Sequence, residues 1–295
     1  MKILRDILKL RHEAEREICT LPALMMAAEK ISGSILHGVH SQGKSGAGEE
    51  FWQFREYQDT DCPQDIDWRQ SAKSDTIFTK QKEWQTTQKT YIWCASGSSM
   101  DYSSSNKIYN KQAVAQITSM SLALLLRRSE EQVGLFGDLK TGNSEDKMQK
   151  IANILLNKSN IEAILPNSTD FTLPNHSPFI GIGDFLSPIG EITDNFARIS
   201  HSAKAGFIIQ ILDPAEIELP YNGRVEFKTS HGKDGNIINN VASIRAEYKT
   251  RISEHINQVK ALCDDLGWHY ILHKTDSDIT QTLKDIWSII EAGRK

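Results

Sequence analysis

No stretch of this sequence is long and apolar enough to cross a bilayer. Its first residues, Met1-Lys2-Ile3-Leu4-Arg5-Asp6, interleave charge with apolar side chains, unlike the uninterrupted apolar core of an export signal. Neither membrane insertion nor export is expected. Cysteine is scarce: Cys19, Cys62, Cys94 and Cys263 lie far apart with no Cys-x-x-Cys pair, which excludes a disulfide framework or a zinc ribbon and fits a reducing cytoplasm. A long basic run is also missing. With 34 Lys plus Arg against 38 Asp plus Glu, a net charge of -4 and a pI near 6.2, the chain has no stripe to track a phosphate backbone, so nucleic acid is not an expected partner.

Catalytic signatures are missing too. Gly181-Ile182-Gly183 lacks the third glycine and helix start of a dinucleotide fingerprint, and Ser98 and Ser99 lack a Gly-x-Ser-x-Gly elbow. Neither His37 with His40 nor His269 with His273 belongs to a His-Glu-x-x-His, so structural histidines are the plainer reading. Ser104-Ser105-Asn106-Lys107 fits Ser-x-x-Lys and Lys140-Thr141-Gly142 fits Lys-Thr-Gly, as in penicillin-recognising hydrolases. The only nearby Ser-x-Asn overlaps the first of these, and the chain's strand-helix alternation is wrong for that fold.

What is present is the pattern of an α/β protein. At 295 residues the chain can bury a real core. Its centre is Thr90-Tyr91-Ile92-Trp93-Cys94, which reads as a buried strand running into the small polar loop Ala95-Ser96-Gly97-Ser98-Ser99. In open α/β sheets the ligand crevice lies beyond the carboxyl ends of the strands, so this loop stands where a site would stand. A helix follows over 108–128, with Val114, Ile117, Met120, Leu124 and Leu125 at helical spacing. Then come a strand at 132–136, a helix at 145–158, an Asn/Pro-rich connection at 160–177 and the strand Phe179–Gly183, which ends at Asp184. If that strand and the central one are parallel neighbours, Asp184 shares an edge with Ser99. A helix marked by Ile189, Ile192, Phe196 and Ile199 leads to a strand at 206–212, and Asn222-Gly223 predicts a hairpin within 216–229. A helix over 241–266 capped by Gly267, a strand at 268–273 and a helix at 279–290 close the chain. This alternation predicts a mostly parallel sheet with helices on both faces.

Residues 1–87 read as an N-terminal extension to a domain at 88–295. Helix is predicted over 2–31, broken at Leu21-Pro22, with Leu24 to Ile31 as core packing; Gly33 to Gly48 reads as a Gly/Ser loop. Glu50 to Arg69 mixes Phe51, Trp52, Phe54, Tyr57 and Trp68 with Arg55, Asp61, Asp67 and Arg69. The expectation is an irregular clamp in which Arg55 and Arg69 fork onto Asp61 or Asp67. A strand within 71–84 should then lead to the core.

Several of these motifs carry a resemblance. Glu50-Phe51, Arg55-x-Tyr57, Asp61, Asp67-Trp68 and the loop ending Ser99-Met100, then Gly183-Asp184-Phe185, Leu212-Asp213-Pro214-Ala215-Glu216 and Leu266-Gly267-Trp268, are similar to the bacterial domain-of-unknown-function family 58. That family resembles von Willebrand factor A domains. The resemblance implies a Rossmann-like, von Willebrand A-like core in a cytoplasmic protein without known catalysis. It also implies a protein partner, a AAA+ ATPase of the MoxR class.

It further implies where a metal-ion-dependent adhesion site would lie: Asp-x-Ser-x-Ser on the first loop, with a Thr and an Asp from later loops. Here Ala95 and Gly97 stand for the first Asp and Ser, Ser99 remains, Asp184 matches the later Asp, and Thr169 or Thr172 lies in the connection where the Thr belongs. Mg²⁺ wants octahedral oxygen ligands and at least one or two carboxylates, so Ser99 and Asp184 are too few for a firm site, and no cofactor is expected. The function expected is a non-enzymatic interaction module. The alternative is a metal-assisted hydrolase using Ser99 and Asp184.

Overall fold

Strand β3 (Lys89–Cys94) is buried at every position after Lys89. Successive strand side chains point to opposite faces, so an unbroken buried run means that both faces of the sheet are covered. The same holds for β6 (Ser177–Gly183) from Phe179 on and for the second half of β7 (Ala203–Leu212). The computed structural model describes residues 21–40, 51–58, 66–73, 76–82, 88–105, 108–157, 173–228 and 235–292. Two compact units divide the chain: Met1–Gly38 with Gln88–Lys295, and Val39–Thr87.

The larger unit holds a mixed α/β fold around a six-stranded sheet. Its strands are β3, β4 (Gln132–Leu135), β5 (Asp138–Gly142), β6, β7 and β10 (His269–Lys274), in the spatial order β10-β7-β6-β3-β4-β5. All neighbours are parallel except β4 and β5, an antiparallel pair at one edge. Counted along the chain, this is the doubly wound order 3-2-1-4-5-6, in which the strand order reverses between β3 and β6. Helix α3 (Lys111–Arg128) packs on α4 (Glu145–Leu156) and α8 (Ile279–Ala292), whereas α5 (Ile189–Ser200) packs on α7 (Val241–Asp265). These helices and strands are the expected α/β alternation. The edge strand β5, lying in the Lys140-Thr141-Gly142 stretch, was not anticipated.

Helix α1 (Leu21–His40) corrects the reading of the N-terminal stretch. Pro22 occupies its first turn, where the missing N–H costs nothing, and helix continues through Gly33 into the presumed Gly/Ser loop. Leu24, Ala28, Ser32 and Ile35 line one buried face, and Leu24, Ala28 and Ile35 join the main core cluster. Packing of that face offsets the weak helix propensity of Gly33 and Ser34. The helix thus belongs with the larger unit up to Gly38.

A second correction concerns Glu216 to Thr229. Asp213 opens a short helix, α6 (Pro214–Glu218), through a capping box with Glu216, with Pro214 in its first turn. Gly223 does take a positive φ of 75°, but it precedes the hairpin, which pairs β8 (Val225–Lys228) with β9 (Gly235–Ile238). The capping signal outcompeted the Asn-Gly turn signal.

In the smaller unit, β1 (Phe51–Glu56) and β2 (Phe78–Lys82) form an antiparallel pair where an irregular clamp was expected. The side chains of Phe51 and Arg55, and Asp61 altogether, lie outside the described residues. Asp67 caps the single turn α2 (Trp68–Ser71), its carboxylate accepting from the Arg69 and Gln70 amides at 2.9 and 3.0 Å. Trp68 is 67% exposed and Tyr57 half-buried. Because Asp67 acts as an N-cap, Asp67→Ala is expected to cost about 0.5–2 kcal/mol, and Asp67→Asn a few tenths. Denaturant melts of both variants check this; a loss of several kcal/mol in Asp67→Ala would restore the buried clamp.

Candidate functional site

The carboxyl ends of β3 and β6 sit side by side. Cys94 pairs with Ile182 in the parallel ladder, and the Ala95 amide continues it by donating to the Ile182 carbonyl at 2.7 Å. Asp184 therefore leaves the sheet next to the loop at 95–101, as its place after Gly183 predicted. Gly183 permits the close approach: a Cβ there would lie 2.8 Å from that of Ala95 and 3.1 Å from the Trp93 ring. Gly97 precedes a 3₁₀ turn at Ser98–Asp101, in which Met100 is buried and Ser98, Ser99 and Asp101 are exposed. Thr169 and Thr172 lie outside the described residues.

The residue that organises this edge is Lys111, which no sequence motif singled out. It is the first residue of α3, after the N-cap Asn110, and its side chain is wholly buried. Its ammonium donates to Asp184 Oδ2 at 3.1 Å and to Glu216 Oε1 at 2.7 Å. The carboxylate-bearing side chains are only 14% and 17% exposed. A helix N-terminus carries a partial positive charge and disfavours a cation, so a lysine in the first turn needs anionic partners. That mismatch was the available signal.

Glu216 also accepts the Asp213 amide through Oε2 at 2.9 Å. Asp213, fully buried, takes the Ala215 amide at 2.8 Å and, through its other oxygen, the Ser104 amide at 2.9 Å, with the Thr275 hydroxyl at 3.5 Å. Ends of four segments are thus tied together: the loop after β3, the start of α3, the loop after β6, and the β7 to α6 turn, which also reaches past β10. Burial pushes the Glu216 carboxyl up from its ordinary range, and the Lys111 ammonium beside it pulls the other way.

Aromatic hydroxyls complete the surroundings. Tyr102 and Tyr221 share a hydrogen bond, and Tyr248 donates to the Glu216 carbonyl at 2.6 Å. Burial, then the Tyr221 hydroxyl and the nearby carboxylates, drive the Tyr102 hydroxyl far above its usual range; Tyr248 is raised by burial and by Glu216. Both stay protonated at neutral pH. Two residues other than glycine adopt left-handed backbone beside the acidic groups, Phe185 (φ 47°) and Leu219 (φ 45°). Phe185 is held there by the Trp93 and Phe196 rings, 5.7 Å away each, and its carbonyl bonds the His255 ring at 2.7 Å. Leu219 is buried, and its carbonyl accepts from Arg245 at 2.8 Å. Such conformations cost of order 1–3 kcal/mol each and persist where neighbours overdetermine them.

Chemically, the arrangement holds charge in place instead of offering it to a substrate. Of the two residues that the resemblance matches to metal ligands at this edge, Ser99 is exposed and the Asp184 carboxylate is already occupied by an ammonium, so these residues do not fit the divalent ion that the resemblance implies. Among the described residues no group of three or more His, Cys, Asp or Glu is placed to hold a metal ion. Elsewhere, burial pushes the Cys94 and Cys263 thiols up to about 12 and lowers His273, whose Nδ1 meets the Thr282 hydroxyl at 2.9 Å. No helix among the described residues is long and apolar enough to cross a membrane.

A family model described as "Protein of unknown function DUF58" matches residues 53–258. No curated protein and no solved structure matches the chain.

Proposed function

The chain belongs to the DUF58 family of proteins of unknown function, and from that premise we propose that it is a non-enzymatic protein-interaction module of von Willebrand A-like fold. It works beside a AAA+ ATPase of the MoxR class in the cytoplasm. The observation that carries the reading is the division of labour at the carboxyl edge of the sheet. Charged groups there are bound to one another, Lys111 to Asp184 and Glu216, and Asp213 to backbone amides. Among the described residues, the large apolar side chains left exposed on the segments leaving that edge are Tyr109, Leu186 and Ile237, at 47%, 36% and 52%. An edge whose buried charges are bound to one another or to backbone amides and whose exposed side chains include large apolar ones suits a protein surface better than a small polar substrate. The strand order supports a Rossmann-like frame, and the family resemblance supports the ATPase as partner.

The test is affinity capture of the full chain from its native extract with a non-hydrolysable ATP analogue present, followed by mass spectrometry. Recovery of a MoxR-class ATPase is expected, and Tyr109→Ser with Leu186→Ser should reduce it while leaving the melting temperature unchanged. Repeated absence of any such ATPase would remove the partner. Turnover of an ester or phosphoester that disappears in Asp184→Ala would favour the hydrolase instead.

A further inference from the structure

We propose that the Lys111 ammonium is the resident cation of the switch-point site, a tethered replacement for a divalent ion, so that this edge is assembled and held without metal. The ion cluster at this edge stands whether or not the ATPase partnership does.

The two anionic ligands come from different segments, Asp184 from the loop after β6 and Glu216 from the turn after β7, and converge on one nitrogen. Convergence of carboxylates from separate loops on a single buried point is what a hard cation requires. The point is filled by a side chain with no exposed surface. An ammonium supplies one charge and up to three donors, enough to bind both carboxylates while the start of α3 adds its partial positive charge. A second cation at Asp184 would have to sit within a few ångströms of that nitrogen, where charge repulsion in a poorly solvated site is strong. The loop at 95–101 agrees with this: Ala95 is buried and packs against Gly183, and Gly97 has no side chain, so neither position reaches toward a metal. Restoring Asp and Ser at 95 and 97 would therefore not be sufficient to create a metal site, because the ammonium would still hold Asp184.

The experiment uses the full chain and Mn²⁺ as the probe, read by the loss of the free-ion paramagnetic signal and by the melting temperature. The wild type is expected to show no saturable Mn²⁺ site that depends on Asp184, and the same melting temperature in chelator and in millimolar Mg²⁺. Lys111→Ala should gain one saturable Mn²⁺ site and a melting temperature that rises with Mn²⁺, both lost in Lys111→Ala with Asp184→Asn. Adding Ala95→Asp and Gly97→Ser should tighten Mn²⁺ about tenfold or more in the Lys111→Ala background and do nothing with Lys111 present. Saturable wild-type binding abolished by Asp184→Asn would overturn the proposal, as would a folded Lys111→Ala protein with no Mn²⁺ site. Should Lys111→Ala fail to fold with or without Mn²⁺, the wild-type arm decides: Asp184-dependent binding overturns the proposal, and its absence with a Mg²⁺-insensitive melting temperature supports it.

Discussion

Lys111→Met should destabilise the protein by about 3–5 kcal/mol, the range for leaving buried charge without its partner. On a domain of this size that lowers the melting temperature on the order of 10 °C. Methionine keeps much of the length and packing of the lysine stem, so the loss isolates the charge. Asp184 and Glu216 are then left facing each other, largely buried and both negative. The pH dependence follows from the Glu216 carboxyl, already raised by burial and held down mainly by Lys111. A carboxyl whose pKa is higher folded than unfolded stabilises the fold below its unfolded pKa, and that contribution is lost as pH rises through the folded one. Removing Lys111 raises the folded value further. The deficit of the variant against wild type should therefore shrink as pH falls through the new Glu216 value and grow as pH rises above it. Lys111→Met with Asp184→Asn and Glu216→Gln, which removes all three charges, should recover most of the stability. Urea melts across pH measure all of this. A loss under about 1 kcal/mol at neutral pH, the range of an exposed pair, would show that the ion cluster is not holding the edge together.

At the other end of the sheet, Gly206→Ala and Trp268→Ala should both be strongly destabilising and should not add. A Cβ on Gly206 would lie 2.1 Å from Trp268 Cδ2 and 2.4 Å from Cγ and Cε2, inside any tolerable contact. The indole cannot easily withdraw, because it packs against Phe179 and Phe196 with ring centroids 6.0 and 5.2 Å away and is 5% exposed. Overpacking at Gly206 is expected to cost about 1–3 kcal/mol or somewhat more. Truncating Trp268 costs about 3–5 kcal/mol by loss of buried surface and the cavity left behind. In the Trp268→Ala background the clash has no partner, so Gly206→Ala should cost less than about 1 kcal/mol, a coupling of roughly 1–3 kcal/mol in the double-mutant cycle. Additive losses would mean that Gly206 is needed for its backbone and not for the space it leaves to the indole.

Much of this architecture could be read along the chain because its signals are local. The run Thr90 to Cys94, the helical spacing from Val114 to Leu125 and the strand before Asp184 each state their own period, and the resemblance carried by motifs from Glu50 to Trp268 agrees with the family match. Errors arose where local rules competed. Gly33 favours a loop, but the packing of Ile35 in the core keeps it helical, and Asn222-Gly223 favours a hairpin turn just after Asp213 and Glu216 have opened a helix.

The site divides along the same line. The order of residues alone placed Asp184 at the end of a strand and the Ala95 to Ser99 loop at the end of another. Strand ends are fixed by hydrophobic period and by glycine, both readable over a few residues. Only the tertiary structure decided what Asp184 binds. Lys111 lies 73 positions before Asp184 and 105 before Glu216. No local pattern relates residues so far apart; the strand order does, by setting β6 beside β3 and β7 beside β6, so that the start of α3 meets a carboxylate from each of the two following loops.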